Sequence, residues 1–213
     1  MHEVKAFASQ FVSSQHRDET AELGMWVFIA TEVLLFGGLI LAYAVYRHMY
    51  PSAFVAASHH TDIVIGTANT AILLTSSFLV AWAVDAFSAE TRKLCVLLLS
   101  GAVLFGLAFL ALKGIEYSGE YRENLVPGIN FDFEATHADG AQLFFVFYFV
   151  STAIHALHML VGIALLVVLG ALTYRTPSSL HCTALHSAAL YWHFVDVVWI
   201  FLFALIYLPG RSS

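Results

Sequence analysis

Charge is what this 213-residue chain has least of. Asp, Glu, Lys and Arg make up 11% of it, against about 25% in ordinary soluble domains, too few to cover a water-exposed surface. Hydrophobic residues make up 60% and the mean hydropathy is +0.78, so the class is integral membrane protein. Basic residues are scarcer than acidic ones, and the net charge of -6 excludes a nucleic-acid partner, which needs clustered Lys and Arg. The only two cysteines, Cys95 and Cys182, lie far apart with no CxxC, so neither a disulfide framework nor a zinc site is suggested. The opening stretch "MHEVKAFASQFVSSQHRDET" has neither an apolar run nor a small-residue cleavage site, so it does not read as a cleaved signal peptide. The first hydrophobic helix is expected to direct insertion itself.

Long apolar runs are what the chain does have. Crossing about 30 Å of hydrocarbon takes roughly 20 apolar residues. Five stretches qualify: about 23–46, 63–84, 94–112, 143–172 and 186–208. Period-two alternation is absent, so helices are expected rather than barrel strands. The fold class is all-α, a polytopic bundle of five transmembrane helices. Residues 1–22 read as an N-terminal cytoplasmic segment and 23–213 as one membrane domain, without internal repeat or low-complexity tract. The longest connection is expected over 113–140, where Pro, Gly and acids accumulate. With the N-terminus cytoplasmic, that side carries Lys5, Arg17, Arg92, Lys93 and Arg175, and the other carries Arg47, Lys113, Arg122 and Arg211. This small bias favours N-in with the C-terminus outside, and it places both cysteines near the reducing cytoplasmic face.

Ionisable side chains inside such spans are costly and usually face other helices or a cavity. They are Glu32 in the first span, His155 and His158 in the fourth, and His193 and Asp196 in the fifth. At 1.5 Å per residue, Glu32 lies roughly 15 Å into its helix, His193 roughly 10 Å into the last, and His158 roughly 20 Å before the end of the fourth. All five therefore fall at mid-depth or in the half nearer the N-terminal side, where a cluster is geometrically possible. Three readings compete. The structural one has His193 and Asp196, one turn apart, bonding each other or a neighbouring helix. A haem b would need axial histidines from facing helices, such as His155 or His158 with His193. Proton handling would fall to Glu32, a carboxyl in a poorly solvating medium. The structural reading stands first, and no metal site is suggested.

The second span, "DIVIGTANTAILLTSSFLVAWAV", carries Asn69, Thr70 and Ser76, small or hydroxylated residues suited to close helix packing. Trp26, Trp82, Tyr46, Tyr174 and Tyr207 sit near span ends, where interfacial anchors belong.

Four segments resemble, in order and spacing, subunit III of the haem-copper terminal oxidases, the cytochrome c oxidase family. They are "FIATEVLLFGG" (28–38), "NTAILLTSS" (69–77), "STAIHALHMLVGI" (151–163) and "YWHFVDVVWIFLF" (191–203), with "GIEYSGEY" (114–121) a looser match. The resemblance implies a subunit that binds no cofactor itself, haem and copper residing in partner subunits. It also implies packing against the catalytic subunit I beside subunit II, phospholipids held between helices, and support for proton uptake and sustained turnover in aerobic respiration. Glu32 would be the family's buried acid that carbodiimides modify. His155, His158, His193, Asp196 and Glu116 would be lipid-cleft or interhelical polar residues, with His193 and Asp196 forming a polar clasp.

The seven-helix family form has two further helices before these five. Five-helix versions resemble those of bacterial oxidases, which implies a bacterial inner membrane, with the electron donor (cytochrome c or quinol) chosen by other subunits. A related five-helix branch accompanies bacterial nitric oxide reductases and has a similar second helix, so that partner is the alternative. A haem b electron-transfer protein is the alternative of another class. An independent proton-coupled transporter fits poorly, because neither an inverted repeat nor a broken helix is visible.

Overall fold

The computed structural model describes residues 14–134, 136–175 and 180–211. Six helices follow in order: α1 Ser14–Met49, α2 Pro51–Ser58, α3 Ile63–Ser88, α4 Arg92–Arg122, α5 Ala138–Arg175 and α6 Leu180–Tyr207, closed by a 3-10 turn at Pro209–Arg211. No strand occurs among the described residues. Five of the helices are long and apolar enough to cross a membrane, and α2 is an eight-residue extra. Of the expected N-terminal segment, residues 1–13 lie outside the described ones and 14–22 are the opening turns of α1, while the side chain of Cys182 also lies outside them.

A bilayer core supplies no hydrogen-bonding solvent, so each span must satisfy its own backbone, which only a continuous helix does for a single crossing. The ends show how each helix starts and stops. Asp62 caps α3, its Oδ1 accepting from the backbone N–H of Val64 (2.8 Å) and Ile65 (3.2 Å). Pro51 ends α1 and serves as the first residue of α2. α4 runs nine to ten residues past the expected end of its span. Hydropathy falls at Lys113, but the helix continues because Lys113, Glu116 and Glu120 turn into the bundle, where Lys113 and Glu116 find partners. Its true stop is Asn124, in the left-handed region at φ 60°, with Leu125 N–H returning to the Glu120 carbonyl (3.0 Å). Asn130 Nδ2 then donates to the Tyr121 carbonyl at 2.7 Å. The connection is thus 123–137, and the expectation of a loop from residue 113 is corrected.

Helices α3, α4, α5 and α6 form a closed ring in which each packs on its two neighbours, α3 against α4 most extensively. α1 lies outside the ring, on the seam between α5 and α6. In its most apolar window 6% of residues are buried, against 50% for α6, so α1 is the peripheral helix and α6 the central one. α2 lies across the end of α5, with Phe54 and Ala57 fully buried.

Trp192 of α6 is the packing centre of the ring. Its indole lies against Gly106 of α4 and Gly162 of α5, where an added Cβ would come within 3.0 Å and 2.9 Å of the ring. Two backbones approach one large side chain because neither carries a side chain there. We expect Gly162→Leu to destabilise the purified protein by about 1–3 kcal/mol. Gly37→Leu, at a position with nothing within 4 Å, should change stability by no more than about 0.5 kcal/mol. Thermal unfolding in detergent compares the two, and equal losses would contradict this account of the core.

Candidate functional site: polar layers inside the bundle

Three polar layers cross the apolar interior. The first joins α3 to α6. Trp199 Nε1 donates to Thr70 Oγ1 (3.1 Å), Trp192 Nε1 to Ser76 Oγ (2.9 Å), and His193 Nδ1 shares a hydrogen bond with Ser77 Oγ at 2.6 Å. Thr70 to Ser76 runs up α3 as Trp199 to Trp192 runs down α6, as an antiparallel seam requires, and each pair hides an indole or imidazole nitrogen that hydrocarbon could not satisfy. Thr70 also donates to the Gly66 carbonyl (2.9 Å). His193 therefore bonds α3 and not Asp196. Asp196, 3% exposed, stands beside Ser77, yet neither carboxylate oxygen closes a well-formed hydrogen bond. Asn69 is fully buried on the same seam, with its amide unpaired among the described residues.

The second layer joins α1 to α5. His158 Nε2 lies 3.0 Å from Glu32 Oε2, and His158 Nδ1 lies 2.8 Å from the Ile154 carbonyl oxygen. The imidazole stacks on Tyr191 and takes the edge of Phe36, and Tyr191 O–H donates to the His158 carbonyl (2.9 Å). A carbonyl can only accept, so Nδ1 must carry a proton. Nε2 then either accepts from a carboxylic acid or, protonated, donates to a carboxylate. The couple is neutral in both forms, which differ only in which group holds the proton between them. Both sides are about 15% exposed, at the edge of the bundle rather than its centre. A haem ligated through His158 Nε2 would have to break the contact with Glu32. His155 is fully buried between Phe109 and Trp199, and neither ring nitrogen has a partner among the described residues.

The third layer was not among the sequence candidates apart from Glu116. Lys113 of α4 is 4% exposed, and its ammonium donates to Glu116 Oε2 (2.9 Å), Tyr148 Oη of α5 (2.9 Å) and Tyr207 Oη of α6 (3.0 Å). Tyr207 O–H donates in turn to Glu116 Oε1 (2.7 Å). An ammonium has three donors, and all three are used. Glu120, one turn further, is buried beside Tyr148 with both oxygens unpaired, and Tyr117 O–H shares a bond with Thr152 Oγ1. The signal in the sequence was the spacing Lys113, Glu116, Glu120, which places three charges on one helical face. Among the described residues no group of three or more His, Cys, Asp or Glu could hold a metal ion.

Removing one member of a buried ion pair strands the other, at a cost of about 3–5 kcal/mol, whereas replacing both costs far less. Lys113→Leu should therefore lower the unfolding temperature more than the double variant Lys113→Leu/Glu116→Leu. A double variant worse than the single would show that the pair does not act as a unit.

The family model described as cytochrome c oxidase subunit III matches residues 11–211. The cytochrome c oxidase subunit 3 of Latimeria chalumnae is 33% identical over 198 residues, covering 88% of this chain and 69% of its own. That of Cyprinus carpio is 33% identical over 196 residues with the same coverage. That of Thermostichus vulcanus is 30% identical over 193 residues, covering 89% of this chain and 87% of its own. With its five apolar helices and a match that spans all of them, the chain belongs to the cytochrome c oxidase subunit III family.

Proposed function

We propose that the chain is a non-catalytic accessory subunit of a bacterial, proton-pumping terminal oxidase. It packs against the catalytic subunit I beside subunit II, holds phospholipid, and supports proton uptake during sustained turnover. Haem and copper reside in those partners. The N-terminus faces the cytoplasm and the C-terminus the periplasm of the inner membrane. The near-full-length match to the Thermostichus vulcanus relative supports the bacterial, short form of the family.

The observation that carries the proton-related part is the Glu32–His158 couple. It holds one proton between two groups of opposite charge type at the rim of the bundle, where a neighbouring subunit can reach it. The proton can pass between the two groups without burying net charge, because the imidazole compensates the carboxylate. Nothing in this arrangement reduces oxygen, which is why the reading is accessory.

Two outcomes test it. In the purified complex, Glu32→Ala should leave the initial rate of oxygen reduction within about twofold of wild type. The number of turnovers before inactivation, or the protons moved per electron, should fall. Loss of all activity at the first turnover in a normally assembled complex would refute an accessory role. Separately, an N-terminally tagged chain purified from native membranes in mild detergent should bring down a haem-copper subunit I and a copper-bearing subunit II. Recovery of a haem–non-haem-iron subunit instead would move the chain to the nitric oxide reductase branch.

A further inference from the structure

The Lys113 layer holds one acid more than its single cation can answer. Lys113, Glu116 and Glu120 are 4%, 5% and 4% exposed, so two carboxyl groups share the ring interior with one ammonium. The ammonium is spent on the first of them. Its three donors go to Glu116 Oε2 (2.9 Å), Tyr148 Oη (2.9 Å) and Tyr207 Oη (3.0 Å), and Tyr207 O–H covers the other Glu116 oxygen at 2.7 Å. Glu116 is thereby matched in charge and in hydrogen bonds. Glu120 is matched in neither. Among the described residues both of its oxygens lack a partner, and Lys113 has no donor left to turn to it.

The other titratable groups around Glu120 do not supply the missing charge. On α4, Tyr117 O–H shares a bond with Thr152 Oγ1, and Arg122 is exposed. Glu123, also exposed, adds negative charge and is approached by His60 Nδ1 at 3.8 Å. On α5 and α6 the facing groups are the hydroxyls of Tyr148 and Tyr207, both already accepting from Lys113. An ionised Glu120 would leave a net negative charge buried beside Glu116, with no cation to offset it, and burial makes that costly. One proton removes the cost. The acid form is neutral, and its O–H has an acceptor at hand in Tyr148 Oη, which keeps a second lone pair beside the one given to Lys113.

We propose that Glu120 is a second proton-binding site of this chain, a carboxylic acid at neutral pH that gives its proton to water only in alkaline medium. It is separate from the Glu32–His158 couple. That couple bridges α1 and α5 at the rim, whereas Glu120 lies inside the ring, two residues before the end of α4. Lys113 and Glu116 hold the helices in place, and Glu120 stores a proton beside them. The exposed residues Tyr121, Arg122 and Glu123 follow at once, so the carboxyl is roughly 5 Å along the helix from the solvated end of α4. Release breaks the Glu120 O–H bond and passes the proton to water at that end, and rebinding reverses it. The proton is held whichever partner complex the chain joins.

The test compares the purified complex carrying wild type or Glu120→Gln by infrared spectroscopy. At neutral pH the wild-type-minus-variant spectrum should contain one protonated-carboxyl C=O band per chain, and the band should fade as the medium is made alkaline. The same difference taken in a Glu32→Gln background should show the same band. An ionised-carboxylate band at neutral pH, or loss of the acid band in the Glu32→Gln background, overturns the proposal. Thermal unfolding in detergent reads the same proton. An acid that is protonated in the folded chain and ionised in the unfolded one lowers stability as pH rises above about 4.3. Glutamine has no such proton to lose. The unfolding temperature of Glu120→Gln, relative to wild type, should therefore rise by about 3 °C or more between about pH 5 and about pH 8. A gap that stays constant, or moves the other way, shows Glu120 ionised in the folded chain and refutes the site. Should Glu120→Gln fail to assemble, Glu120→Leu, which needs no hydrogen bond, takes its place in both measurements.

Discussion

Hydrocarbon offers no hydrogen bonds, and this constraint organises the polar interior of the protein. A Lys, a Trp N–H or an imidazole placed within a span must find its partner on its own helix or a neighbouring one, or go unsatisfied. Lys113 shows the consequence most fully. Its three donors go to α4 itself, α5 and α6, so a single ammonium fixes the relative rotation and depth of three helices. The α3–α6 seam does the same with Trp192, His193 and Trp199. Apolar packing alone is a weak guide to register, because one leucine contact is much like the next. Hydrogen bonds inside the bilayer are few and directional, and each admits one alignment.

These layers also divide the labour. The Lys113 layer and the α3–α6 seam lie within the closed ring, where burial leaves them architectural. The Glu32–His158 couple lies at the ring's edge, bridging it to the one helix that is not part of it. The layers thus use different residues at different radii of the same bundle.

Much of the fold was legible in the sequence because the bilayer imposes a length: five apolar runs of about twenty residues give five crossings. Glu32 and His158 were legible as isolated charges in those runs, though their pairing across 126 residues was not. The Lys113 layer was missed because a drop in hydropathy looks the same whether a helix is leaving the membrane or turning its charges inward. Tyr148 and Tyr207 were invisible for a related reason. Tyrosine counts as apolar in a hydropathy run and as an anchor near a span end, and only contact across helices shows the hydroxyls completing an ammonium's coordination. α2 was too short for any span criterion, and it exists because Pro51 restarts a helix whose buried face, Phe54 and Ala57, is made by α5.

The peripheral position of α1 has a consequence in time. Its partners, α5 and α6, are the last helices made, so Glu32 enters the membrane 126 residues ahead of His158, and Tyr43 enters 162 ahead of the Leu205 carbonyl. At about 5–20 residues per second the glutamate waits roughly 6–25 s for its imidazole. During that interval α1 carries an acid in its middle with neither of its packing partners complete. The ring of α3 to α6 can begin closing as each neighbour arrives, while α1, made before all four, is among the last to dock.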